Sequence, residues 1–184
     1  MNETVPVLTD ATTDPALSQP KPTESKRHRA VAAVRHALEA AAPGTLAKLR
    51  RFNAPAAPPV AFYRITVDIL DDYLPEAGAR RDELEARWAV VVAAMACAQG
   101  LLRPVPLGEA LFKAEVAENR VLRLLEAQDT QLAVVVRNVV HQLVQKAQPF
   151  DPNDLADLVL TDGTERRQES RRRIARSFFR NERT

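Results

Sequence analysis

From Leu107 to Gln148 the chain runs without a proline, and two helical patterns meet inside it at Asp129. Ahead of the junction Leu107, Leu111, Val121, Leu124 and Leu125 are apolar, while Lys113, Glu115, Glu118, Arg120, Arg123 and Glu126 carry charge between them. Behind it Leu132, Val135, Val136, Val139, Val140, Leu143 and Val144 recur every three or four residues, which places them on one face of a 3.6-residue helix. The Asp129 carboxylate can accept hydrogen bonds from the free N–H groups of the second helix, so an N-cap is expected there. An apolar helical hairpin of this kind must bury its stripes against other helices, which points to an all-α bundle.

The rest of the chain follows the same grammar. Residues 1–25, with Pro6, Pro15, Pro20 and Pro22 among Thr, Asp and Ser, have no period and are expected to form an unpacked tail. Residues 26–184 form the helical domain, with sub-bundles expected over 26–103 and 107–184. Val31, Val34, Leu38 and Ala41 line a first helix that Ser25 can cap and Pro43-Gly44 ends; Thr45 can cap a short second helix reaching Phe52. Pro55, Pro58 and Pro59 force a loop. Val60 to Tyr73 reads as helix through Phe62, Ile65 and Ile69, although Ile65-Thr66-Val67 also suits a strand.

Pro75 and Gly78 close that segment, and a long helix over Arg81–Leu102 turns Leu84, Trp88, Val91, Val92, Met95 and Ala98 inward. Arg103 to Pro106 is an extended connector to the central hairpin. Beyond it, Asp151 or Asn153 caps a short helix to Leu160, and Thr161-Asp162-Gly163 turns into an arginine-rich helix that starts at Thr164 and buries Ile174 and Phe178. Seven or eight helices result.

Composition narrows the function. A single cysteine, Cys97, excludes a disulfide framework and a metal quartet. No apolar run approaches the roughly 20 residues that span a bilayer, so a cytoplasmic protein with no membrane partner is expected. The net charge of +2 hides two basic poles. Lys26 to Arg51 holds seven basic residues against Glu39, and Arg166 to Arg183 holds eight arginines against Glu169 and Glu182, whereas Asp68 to Glu85 is acidic. Two basic poles on a helical body suit a polyanion partner.

Catalytic constellations are weak. Cys97, Asn138 and His141 supply the residue types of a thiol protease, yet Cys97 lies in an Ala-rich helix where a small buried thiol is the usual occupant. Asp68, Asp71 and Asp72 read as a solvated face rather than an ion site, and Asp151, Asp154 and Asp157 as helix-start residues favoured by the macrodipole. No P-loop, zinc spacing or nucleophile elbow is present, so neither an enzyme nor a cofactor is expected. Aromatic residues are few and sit in apolar stripes, which argues for phosphate contacts rather than base stacking.

Several stretches occur in the order of one family: Pro43-Gly44-Thr45-Leu46-Ala47-Lys48-Leu49-Arg50-Arg51, Pro58-Pro59-Val60-Ala61-Phe62-Tyr63, Leu107-Gly108-Glu109-Ala110-Leu111 with Asn119-Arg120-Val121-Leu122-Arg123-Leu124-Leu125, Phe150-Asp151-Pro152-Asn153-Asp154-Leu155-Ala156-Asp157-Leu158, and Arg171-Arg172-Arg173-Ile174-Ala175-Arg176-Ser177-Phe178-Phe179. In these the chain, from about Ala30 to Arg180, resembles the small subunit of the type I-E CRISPR surveillance complex, Cascade, known as the CasB family. It departs from the family's pattern at Leu160 and Ile174, where tryptophan is usual.

The resemblance implies a non-catalytic α-helical subunit of an antiviral ribonucleoprotein. It implies two copies in the complex, in contact with the backbone and large subunits, helping to hold the guide RNA–target DNA duplex and the displaced strand. Matched position by position, it assigns basic contacts to Arg50, Arg51, Arg120, Arg123, Arg172, Arg173 and Arg176; Lys48 and Arg137 join them on charge alone. Two rival readings remain at this stage: a helical transcription factor or nucleoid protein that inserts its last helix in a groove, and a protein–protein scaffold that touches no nucleic acid.

Overall fold

The computed structural model describes residues 22–182, so the expected tail lies outside the described residues up to position 21. The helices are α1 (Pro22–Glu39), α2 (Pro43–Arg50), α3 (Val60–Ile65), α4 (Ala79–Cys97), α5 (Leu107–Lys113), α6 (Glu118–Glu126), α7 (Asp129–Gln145), α8 (Pro152–Leu160) and α9 (Thr164–Glu182). Between α3 and α4 the chain continues as a π-turn, Thr66–Leu70, and a 3-10 turn, Asp71–Tyr73. The class is all-α; among the described residues the sole β feature is an isolated parallel bridge between Leu102 and Phe150.

The central stretch differs from its expected form at two points. What reads as one helix before Asp129 is two, because Glu115 adopts φ 55°. There the N–H of Val116 reaches the Leu111 carbonyl at 3.0 Å and that of Glu115 the Phe112 carbonyl at 2.9 Å, a Schellman closure with a non-glycine residue in the left-handed position. Buried Ala114 and Val116 hold the turn in place, and the break raises the helix number to nine among the described residues. Asp129 is not the N-cap either: Gln128 precedes the first turn, no side chain caps it, and Asp129 itself takes φ 46°.

Three further starts are corrected. α1 begins at Pro22, so Ser25 lies within it rather than ahead of it. Pro43-Gly44 opens α2 instead of ending α1, with Pro43 at the first helical position, where its missing N–H costs nothing. α4 starts earlier than expected, at Ala79, and ends at Cys97, short of Gly100 at φ 88°. By contrast Asp151 caps α8 as expected, its carboxylate accepting the Asn153 N–H at 2.8 Å.

α4 is the axis of the core. Its Ala-rich middle, with Trp88, Val91, Val92, Ala94, Met95 and Ala96 all buried, lets α1, α2, α7 and α8 pack against it. α5 lies across α9 at their closest approach, Gly108: a Cβ there would fall 2.1 Å from the Ile174 carbonyl oxygen and 2.6 Å from the Phe178 nitrogen. Only a residue without a side chain permits that contact. It fixes the position of α9, and with it the arginines that α9 carries.

Candidate nucleic-acid interface

Arginine does two different jobs in this molecule. The first is structural and centres on Asp157, a carboxylate only 6% exposed in the middle of α8. Arg27 of α1 donates to its Oδ1 at 2.9 Å and Arg173 of α9 to its Oδ2 at 2.9 Å. The same Arg27 nitrogen reaches the Thr161 hydroxyl at 2.8 Å, and His28 Nε2 stands 3.5 Å from Oδ2. Arg173 also donates to Asp154 at 3.1 Å, and the other oxygen of Asp154 accepts the Leu107 N–H at 2.9 Å, at the start of α5. Burial pushes the Asp154 carboxyl up despite that N–H and the Arg173 charge. One buried carboxylate and its neighbour thus tie α1, α5, α8 and α9 together; neither is merely a helix-start residue.

Other arginines seal helix ends. Arg50 donates to the Ala96 carbonyl at 2.8 Å and to Gln99 at 3.0 Å, closing the last turn of α4. Arg171 donates to the Ala127 carbonyl at 2.8 Å, just past α6, and Arg167 to the Thr161 carbonyl at 3.3 Å, just past α8. Positive charge at a helix C-terminus also complements the macrodipole. Arg137, half-buried, lines with Arg50 and Cys97 a cavity of only about 30 Å³. Burial raises the Cys97 thiol pKa in spite of those two cations, and its sulfur faces the Arg50 carbonyl at 3.8 Å. Asn138 and His141 lie elsewhere, so the thiol-protease residue types do not share a site.

The second job is done on open surface. Between α6 and α7 runs a cleft of about 730 Å³ whose walls carry Arg120, Arg123, His141 and Lys146, with Asn138, Gln142 and Gln145 beside them and Val135 and Val139 on the floor. No carboxylate lines it. Arg120 donates to Gln142 at 2.8 Å, and Gln142 in turn donates to the Ala114 and Glu115 carbonyls, so the α5–α6 turn holds the arginine in position. Arg123 is exposed and makes no ion pair among the described residues. Lys146 pairs at 2.5 Å with Glu115, a carboxylate 76% exposed at the cleft's edge, and that partner holds the Glu115 carboxyl below the ordinary range.

A wider groove of about 1020 Å³ follows α9 past Pro104 and Pro106. Arg172 and Arg176 stand exposed along it, but Glu109, Asp151, Asp154, Glu165 and Glu169 line it too, and its lining shares no residue with the α6–α7 cleft. Lys48 and Arg51 are exposed at the end of α2, apart from both. Of the nine residues singled out from sequence, Arg120 and Arg123 are brought together in the cleft, Arg172 and Arg176 in the groove, while Arg50 and Arg173 hold protein groups. Sequence reasoning missed His141 and Lys146 as cleft residues. Their signal was present: His141 falls with Asn138, Gln142 and Gln145 on the polar side of α7, opposite its apolar stripe, and Lys146 follows the last turn.

Among the described residues no helix is long and apolar enough to cross a membrane, and no group of three or more His, Cys, Asp and Glu residues could hold a metal ion. A family model described as CRISPR-associated protein Cse2 matches residues 45–179, a span that includes α4 to α8 and every one of the nine singled-out residues. No curated protein and no solved structure matches the chain.

Proposed function

Starting from the CRISPR-associated Cse2 family, the small subunit of type I-E Cascade, to which this chain belongs, we propose that it holds nucleic acid for that complex through sequence-independent phosphate contacts, with the α6–α7 cleft as its principal site. The observation that carries this reading is a cleft walled by Arg120, Arg123, His141 and Lys146 and free of carboxylates. Guanidinium groups on stiff helices present paired donors to phosphate oxygens, and the Arg120–Gln142 contact pre-orders one of them.

Arg172 and Arg176 along α9, and Lys48 and Arg51 at the end of α2, add separate cationic patches. The α9 pair acts more weakly, because five carboxylates share its groove. Arg50 and Arg173 contribute by holding the helices that present the others. The polymer gripped is the guide RNA–target DNA duplex and the displaced DNA strand. A displaced strand held by phosphate contacts is slower to re-anneal, which favours the open state by a differential contact.

The test is retention of target DNA by the assembled complex carrying Arg120→Glu and Arg123→Glu. Loss of retention by about tenfold or more at low salt, with an unchanged melting curve for the isolated subunit, supports the reading. Wild-type retention rejects it, and a strong preference for one duplex sequence would favour a transcription factor instead.

A further inference from the structure

A second face of the molecule is organised in the opposite sense. Val60, Tyr63 and Val67 are 73%, 44% and 68% exposed, and they account for three of the five large hydrophobic side chains that stand exposed among the described residues. Their spacing of three and four residues sets them in one row along α3 and its π continuation, while Phe62, Ile65, Thr66 and Leu70 fill the buried side. The row is mounted on firm backbone: the Thr66 hydroxyl donates to the Phe62 carbonyl at 3.2 Å, and the Tyr63 ring meets Phe62 edge-on at 5.7 Å. A π-turn is an uncommon feature that recurs at functional positions.

The rim of this row is acidic. Asp68, Asp71 and Asp72 follow the row, with Arg64 among them; Arg81 engages Asp71, and neither Asp68 nor Asp72 takes part in an ion pair among the described residues. Two uncompensated carboxylates repel phosphate, so this face is unsuited to a nucleic-acid strand. Contiguous exposed apolar side chains with a charged rim have the anatomy of a protein contact.

We propose that the Val60–Tyr63–Val67 face docks a neighbouring protein subunit of Cascade whose matching surface is apolar at its centre and basic at its rim. The inference goes beyond the phosphate-binding reading and does not depend on the α6–α7 cleft. Charge complementarity selects the partner: an acidic rim steers a basic surface inward and disfavours an acidic one.

Two variants test it, Val60→Asp with Val67→Asp, and Asp68→Arg with Asp72→Arg. Each is expressed as the full chain together with the other Cascade subunits and guide RNA, and the fraction of complexes that contain the small subunit is measured by native mass spectrometry. Both should lower that fraction at least severalfold, while the isolated chain keeps its melting curve and its oligomeric state. If the apolar pair unfolds the chain, the charge-reversed pair still decides, because Asp68 and Asp72 pair with nothing the fold needs. Wild-type incorporation of both variants overturns the proposal, as does loss of self-association in its place, which would give the face to a second copy. Failure here with intact dependence of DNA retention on Arg120 and Arg123 would leave the cleft reading standing, and the converse holds equally.

Discussion

The α6–α7 cleft and the α8–α9 contact are both rich in arginine, and they use it for opposite ends. At α8–α9, Arg173 spends its charge on Asp154 and Asp157, and Arg27 completes the buried group from α1. In the cleft Arg120 touches only a neutral amide, and Arg123 has no carboxylate partner. A guanidinium facing a buried carboxylate holds protein; one facing solvent without an ion pair is available to an external anion. The arginine itself does not decide which, and the identity of the facing group does.

The contrast can be broken from the structural side first. Gly108→Val should have the largest effect, a loss of at least about 3 kcal/mol or failure to fold, because the new side chain would collide with the α9 backbone near Ile174 and Phe178. Asp157→Ala should follow at about 3 kcal/mol, since it leaves Arg27 buried without its carboxylate. Both are read by thermal or denaturant unfolding. Asp154→Asn sharpens the same side and should cost less at neutral pH, because an oxygen remains for the Leu107 N–H and the charge that burial disfavours is removed.

The sign of the pH effect follows from that raised carboxyl. A group whose pKa is higher folded than unfolded contributes stability in full below its unfolded value, and the contribution fades as pH rises through the folded one. Asp154→Asn should therefore flatten the stability profile just above the ordinary carboxylate range, and an unaltered profile would count against the assignment.

On the cleft side, Arg172→Glu with Arg176→Glu should weaken DNA retention by the assembled complex less than the Arg120 and Arg123 pair does, with the isolated fold intact. Smallest of all, Glu115→Gln should free Lys146 and tighten single-strand binding by a small factor, measured at low salt where exposed pairs act most strongly.

Much of the fold is legible from residues alone. The stripes of α4 and α7, the Asp151 cap, the proline-rich connectors and the start of α9 all depend on local pattern, and local pattern is what a sequence displays. The departures arise where tertiary packing overrides it. Glu115 offers no glycine to mark a left-handed helix end, and what holds it there is the burial of Ala114 and Val116 against distant helices. Gly44 looks like a stop but follows a proline suited to a first turn.

The site divides along the same line. Arg120 and Arg123 share a helix face, so their pairing can be read from spacing. That Arg173 meets Asp157 while its neighbour Arg172 meets solvent depends on the rotation of α9, which Gly108 sets from another helix.

The most direct test of this division measures two quantities on two variants. For Arg120→Gln with Arg123→Gln, and separately for Asp157→Asn, the slope of log Kd for single-stranded DNA against log salt is determined together with the melting temperature. Losing two phosphate contacts should reduce the slope by about 1.4 at constant melting temperature in the first variant. The second should lower the melting temperature and leave the slope of the folded protein unchanged. A slope that survives the loss of both cleft arginines would contradict the account.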